Sequence, residues 1–168
     1  MRDRRRLLPL VAWFLVLFLL AGCGSRNPMP TPGSLAPEFT LETLEGGTLT
    51  LSQLRGKVVL VSFFATWCPS CQAEMPFLQG AWDAQKDQGV EVVIVDIKET
   101  QGLVGDFMRR NGYTMPVVLD RQGRAAASYG VTSLPTSFIL DRQGVIRGVK
   151  VGAFTSREAV LSRLSGVR

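Results

Sequence analysis

Trp67-Cys68-Pro69-Ser70-Cys71 puts two thiols three positions apart in a chain of 168 residues. At a strand-to-helix junction such a pair can open and close a disulfide with little backbone movement, so the chemistry it suggests is thiol-disulfide exchange. The nucleophile in that chemistry is a thiolate, which requires an accessible sulfur whose pKa is brought toward ambient pH. A helix N-terminus does this through its unpaired N–H groups and positive dipole end, and Pro69 suits the first helical position, where a missing N–H loses nothing. Cys68 is therefore the expected attacking thiol. Cys71, one turn deeper and less exposed, is the expected resolving thiol. Two other readings stand beside this one. A structural disulfide here would close too small a loop to stabilise much by chain entropy. A zinc site would need two more ligands, in a chain with no histidine and only Cys23 left over.

The elements that must position the pair are legible from periodicity. Residues 58–65 form a nearly unbroken apolar run, rich in branched and aromatic side chains and too short for a globular helix, which reads as a central strand delivering Cys68 to the sheet's edge. Met75, Leu78 and Trp82 recur at helical spacing up to Gly89, and residues 91–97 make a second buried strand. Strand, helix, strand implies parallel pairing. Upstream, residues 39–44 and 48–51 alternate around Glu45-Gly46-Gly47, the pattern of a hairpin with one buried face. Downstream, a helix over about 103–111 precedes a short strand at 116–119 and a brief helix ending near Gly130. A hairpin over 136–140 and 145–151 follows. The last helix opens on Thr155-Ser156-Arg157-Glu158, which has capping-box spacing. The expected class is α/β, a central mixed sheet flanked by helices with an extra N-terminal β-hairpin, and no internal repeat is present.

Ahead of this body lies a different kind of sequence. Residues 1–6 are basic, 7–21 almost wholly apolar, and Leu20-Ala21-Gly22-Cys23 follows, the succession of a secretory signal. The apolar run is shorter than the roughly 18 residues of a spanning helix and lacks a basic stop-transfer cluster. Residues 20–23 resemble a bacterial lipobox, in which the cysteine thiol is lipidated and cleavage leaves Cys23 first. A signal cleaved elsewhere, or an uncleaved anchor, are the alternatives, and each places the body outside the cytosol. The stretch 24–37, with four prolines among Gly, Ser, Thr and Asn, reads as a tether. The expected organisation is thus a signal peptide at 1–22, a lipidated N-terminus and flexible tether at 23–36, and one domain at 37–168. Three of the chain's five net positive charges belong to residues 1–22. The remaining arginines are scattered beside acids and glycines, which argues against nucleic acid as a partner.

Taken together, Phe64-Ala65-Thr66-Trp67-Cys68-Pro69-Ser70-Cys71, Glu74-Met75-Pro76, Pro116-Val117-Val118-Leu119-Asp120 and Leu134-Pro135-Thr136-Ser137-Phe138-Ile139-Leu140-Asp141 resemble the ResA/TlpA group of membrane-tethered, thioredoxin-like thiol-disulfide oxidoreductases, within the redoxin (AhpC/TSA) superfamily. The resemblance covers about residues 37–164. It implies a cis Leu134-Pro135 bond facing the cysteines, in keeping with the small cis penalty before proline, with Trp67, Leu134 and Pro135 receiving the substrate strand. The alternative for Pro135 is an ordinary strand-start proline. Thioredoxin's buried aspartate on the strand before the cysteines corresponds to Ser62, so the usual base is absent. The resemblance makes Glu99 the candidate for proton chemistry, against a plain solvated carboxylate beside Lys98. One departure is that relatives commonly carry proline just before the second cysteine, where this chain has Ser70. The dipeptide between the cysteines tunes the potential, which leaves the direction of electron flow open.

What the resemblance implies is an extracytoplasmic reductase of protein disulfides, with apocytochrome c haem-binding thiols as the example. It would be recharged by a membrane electron donor, held to the membrane by lipid, monomeric, and without metal or organic cofactor. Two alternatives remain. A thiol peroxidase shares the superfamily, but peroxiredoxins favour Thr or Ser where Ala65 stands. A copper(I) carrier or assembly chaperone would suit paired soft thiolates, but the related chaperones add a third residue between the cysteines and a distant histidine, both missing here.

Overall fold

The structure, a computed structural model, describes residues 28–167. The signal segment, Cys23 and the start of the expected tether lie outside the described residues. The two most apolar runs form the centre of the sheet. β3 (Val58–Phe64) is buried along its whole length, and β4 (Val90–Ile97) pairs with it in parallel, from Val58 opposite Val90 to Phe64 opposite Asp96. Strands buried on both faces have no polar side to show, which is why neither alternates.

Helix α1 (Pro69–Gln85) connects them, and α2 (Gln101–Asn111) connects β4 to its second parallel neighbour β5 (Val117–Asp120). An N-terminal hairpin of β1 (Thr40–Thr43) and β2 (Thr48–Thr50) adds antiparallel to the far side of β5. A second hairpin of β6 (Thr136–Leu140) and β7 (Ile146–Val151) adds antiparallel to β3. Among the described residues the result is one mixed seven-stranded sheet in the order β2-β1-β5-β4-β3-β6-β7. The expected class, including the extra N-terminal hairpin, is the observed one.

The two faces carry separate cores. Because side chains alternate along a strand, Leu60, Phe64, Val92 and Ile94 meet α1, α2 and the C-terminal helix α4 (Arg157–Ser165), together with both cysteines. Val61, Phe63, Val93 and Val95 face the other way, onto Phe39, Leu51 and the short helix α3 (Arg124–Ser128) with the following Tyr129. Tyr129 sits in an aromatic nest with Phe63 and Phe138, ring centroids 5.1 and 4.8 Å away.

Three local readings differ from the sequence expectation. Helix α2 starts at Gln101, two residues before the expected 103, because the Thr100 side chain accepts the Leu103 N–H and caps it. The cap of α4 is Ser156, extended and accepting the Ala159 N–H at 3.1 Å, rather than Thr155. Finally, the end of the expected tether is part of the fold. Residues 33–36 lie against the start of β7, with Gly33 N–H donating to Ile146 O, Ile146 N–H to Ser34 O, and Ala36 N–H to Gly144 O. Backbone pairing along a sheet edge needs no apolar side chains, so composition does not report it.

Candidate active site

β3 ends at Phe64, and the chain turns through residues 65–67 to start α1, with the Cys68 N–H donating to Ala65 O at 3.2 Å. Cys68 is the N-cap of α1: its backbone is extended, Pro69 takes the first helical position, and its Sγ accepts the Cys71 N–H at 3.2 Å. The sulfur thus occupies the place where serine or aspartate oxygens usually cap, among backbone donors that favour negative charge. Ser70 Oγ stands 3.4 Å from the same sulfur. The two cysteines are joined as a disulfide with their Cα atoms 5.2 Å apart. Cys71 is fully buried and Cys68 retains 4% exposure, in the order expected, while Trp67 beside them is 68% exposed.

Glu99 is not a solvated loop carboxylate. One oxygen accepts the Thr66 N–H at 2.5 Å and the other accepts the Thr66 hydroxyl at 2.6 Å, so it grips the backbone two residues before Cys68. Gln72, from the first turn of α1, donates to the Thr66 carbonyl. The turn that presents Glu99 holds Lys98 at φ 64°, the left-handed region, and is pinned by the Glu99 N–H donating to Asp96 Oδ1. Asp96 is fully buried, and burial first, then the neighbouring Glu99, pushes its carboxyl up to about 8.

A second carboxylate lies beneath the helix. Glu74, one turn after Cys71 and 1% exposed, accepts the Ser62 hydroxyl at 3.1 Å and the Phe154 N–H at 2.9 Å. Ser137, across the β3–β6 pair from Ser62, donates to the Ser62 hydroxyl. Burial pushes the Glu74 carboxyl up to about 6, against the hydrogen bonds from Phe154 and Ser62 and the charge of Lys150. So the strand position that lacks an aspartate is served by a glutamate reaching down from the helix.

The Leu134-Pro135 bond is cis. Thr136 pairs with Phe63, so Pro135 stands level with Phe64 at the sheet end from which the cysteine loop leaves. Leu134 is half-buried against both cores, the first of which contains the two cysteines. A shallow groove of about 400 Å³ runs beside the loop, lined by Thr66, Gln72, Leu103, Phe107, Arg110 and Asn111 among others. Among the described residues no group of three or more His, Cys, Asp or Glu side chains is arranged to hold a metal, and no helix is long and apolar enough to cross a membrane.

Of the residues singled out from sequence, Trp67, Cys68 and Cys71 lie together at the start of α1, Glu99 reaches their loop through Thr66, and Pro135 shares that end of the sheet. Cys23 lies outside the described residues. Glu74 and Asp96 were not singled out for the site. The signal was present in both cases: each is an acid on an otherwise apolar face, Glu74 among Cys71, Met75 and Leu78, and Asp96 after Val92 and Ile94.

A mixed sheet of this order, with a disulfide-forming pair capping the helix after its central strand, defines a thioredoxin-like thiol-disulfide oxidoreductase. The chain belongs to the AhpC/TSA family, whose pattern matches residues 32–149, and within it to the ResA-like thiol-disulfide oxidoreductases. The thiol-disulfide oxidoreductase ResA of Geobacillus thermodenitrificans is 34% identical over 100% of this chain and 99% of its own. Among solved structures, that of a putative thiol:disulfide interchange protein DsbE from Chlorobium tepidum matches at a TM-score of 0.73 and 29% identity, covering 80% of this chain and 98% of that one. StoA from Bacillus subtilis matches at 0.67 and 30%, covering 79% and 98%.

Proposed function

We propose that this oxidoreductase works outside the cytosol as a reductase of protein disulfides, with Cys68 attacking and Cys71 resolving. The observation that carries the assignment is the cap: the Cys68 sulfur receives the Cys71 N–H at the N-terminus of α1, so it is the sulfur better placed to leave, and to attack, as an anion. In the reduced protein the Cys68 thiolate attacks one sulfur of a substrate disulfide, forming a mixed disulfide and expelling the other substrate thiolate. Cys71, losing its proton, then attacks Cys68 Sγ and expels the second substrate thiolate. Two electrons pass to the substrate, whose two thiolates take up the Cys71 proton and one from solvent, and the Cys68–Cys71 disulfide is left.

Supporting roles follow from position. Trp67, Leu134 and Pro135 form the surface that receives the substrate strand, and Glu99 holds the loop and takes part in its proton balance. Glu74, on α1 one turn after Cys71 and buried on the same face, is the candidate to accept the Cys71 proton. The reductase direction, a dithiol donor in the membrane, anchoring through lipidated Cys23 and apocytochrome c thiols as a substrate all rest on the resemblance set out above. The test is trapping. A Cys71→Ser chain incubated with a disulfide-bonded protein is expected to accumulate a mixed disulfide at Cys68, identified by mass spectrometry. A Cys68→Ser chain that forms the same adduct through Cys71 would reverse the assignment.

A further inference from the structure

Glu99 grips the cysteine loop from a turn that is itself held by a buried acid. Asp96 is the last residue of β4 on the sheet face that carries both cysteines and α1. It has no exposed surface. Its Oδ1 accepts the Glu99 N–H at 3.2 Å, and its Oδ2 has no partner among the described residues. A buried carboxylate oxygen without a donor is strongly unfavourable when ionised, whereas a protonated one needs only an acceptor. The acceptor at hand is the Glu99 carboxylate, presented by the same turn whose N–H binds Asp96 Oδ1. Glu99 already takes two donors from Thr66, which leaves Asp96 as the member of the two placed to donate.

The surroundings leave this arrangement undisturbed. The residues in register with Asp96 are Phe64 on β3 and Leu119 on β5, neither of which titrates. Asp120 of β5 is satisfied by the Arg124 and Ala126 N–H groups. Arg121 favours the charged form of Asp96 but is ion-paired with Glu42. Lys98 turns its side chain onto Gly123. Glu74 of α1, on the same face, is bound to Ser62 and Phe154. From α2 the nearest cap is the uncharged Thr100.

We propose that Asp96 is a positioning residue for exchange at Cys68: protonated, it donates to Glu99, keeps that carboxylate on Thr66, and holds the turn at a single negative charge while the Cys68 thiolate forms. This rests on the reading of Cys68 as the attacking thiol. Loss of the Asp96 proton and ionisation of Cys68 then oppose one another, because each adds a negative charge to the same end of the sheet. Linkage requires the two shifts to be equal.

The experiment follows the Asp96 carboxyl carbon by NMR in the isotope-labelled full chain, oxidised and reduced, from pH 4 to 10, with Cys68 thiolate absorbance read in the natural protein and in Asp96→Asn. The Asp96 signal is expected to titrate near pH 8 in the oxidised protein and higher once the thiolate is present, and Cys68 ionisation below pH 8 to be unchanged in Asp96→Asn, which keeps the position neutral. The asparagine amide still donates to Glu99, so exchange at pH 6 should stay within about twofold, whereas Asp96→Leu should lose roughly tenfold. An Asp96 signal that completes its titration below pH 6, or one with the same midpoint in both redox states, would overturn the proposal. The NMR comparison uses the unaltered chain and decides the matter even where a variant does not fold. If the Cys71→Ser trap fails while Asp96 titrates as expected in the oxidised chain, it is the assignment of the attacking thiol that is wrong.

Discussion

The hydroxyl of Ser62 donates to Glu74 across 3.1 Å, joining the strand before the cysteines to the helix that carries them. The polar path continues from Ser137 to Ser62 to Glu74, which also takes the Phe154 N–H, so the only charge in it is fully hydrogen-bonded and buried next to the cysteine helix. An acid placed there is hard to ionise and close to neutral in its demand for a proton, which is what a proton acceptor for a buried thiol requires.

Glu74 makes stability depend on pH with a definite sign. Its folded pKa is raised from 4.5 to about 6, so its contribution is fully present below pH 4.5 and is lost as pH rises through 6. Glu74→Gln lacks that dependence. Between pH 4 and pH 7 the natural protein should therefore lose about 2 kcal/mol relative to the variant, read as the change in urea unfolding free energy. The same variant should slow release of the substrate from the mixed disulfide by roughly 10-fold or more.

Thr66 and Glu99 offer a separate test. Thr66→Val keeps the backbone bond to Glu99 and removes the hydroxyl bond, at an expected loss of about 1 to 2 kcal/mol in unfolding free energy. Glu99→Gln removes a negative charge from beside the loop and should let Cys68 ionise at lower pH, as followed by thiolate absorbance. Unchanged ionisation and unchanged exchange rate in Glu99→Gln would return Glu99 to a purely structural part.

Trp67 is exposed beside two buried cysteines, which fits a surface for substrate and not for the core. Trp67→Ala should leave the thermal midpoint and the rate with a small disulfide such as oxidised glutathione unchanged. Its rate with a protein disulfide should fall by roughly 10-fold, about the worth of one buried aromatic contact.

On the opposite face, the Tyr129 hydroxyl is buried without a hydrogen-bond partner among the described residues, and its pKa is pushed upward, chiefly by burial. Removing an unpaired polar group relieves its desolvation. Tyr129→Phe should thus be as stable as the natural protein or more so, by up to about 1 kcal/mol in urea unfolding.

Much of this was written in local patterns. The buried run of β3, the helical spacing of Met75 and Leu78, and the turn residues between hairpin strands carry the succession of elements and the parallel β3–β4 pair, because parallel neighbours must be joined by a crossover, but not the order of the strands across the sheet. Cys68 and Cys71 announce themselves by spacing, and Pro69 by its fit to a first turn. Glu74 and Asp96 did not stand out, since their meaning comes from partners 12 residues away at Ser62 and 80 away at Phe154 for the first, and from burial for the second. The fastening of residues 33–36 to β7 was hidden for a related reason: it is made by backbone groups, which every sequence has.

The most direct test of the reductase reading is the equilibrium reduction potential of the Cys68–Cys71 couple, measured in glutathione or dithiol redox buffers with alkylation of Cys68 as the readout. The account predicts a value below about −220 mV, that of a dithiol needing an electron supply, whereas a value near −120 mV would make the protein a donor of disulfides and contradict it.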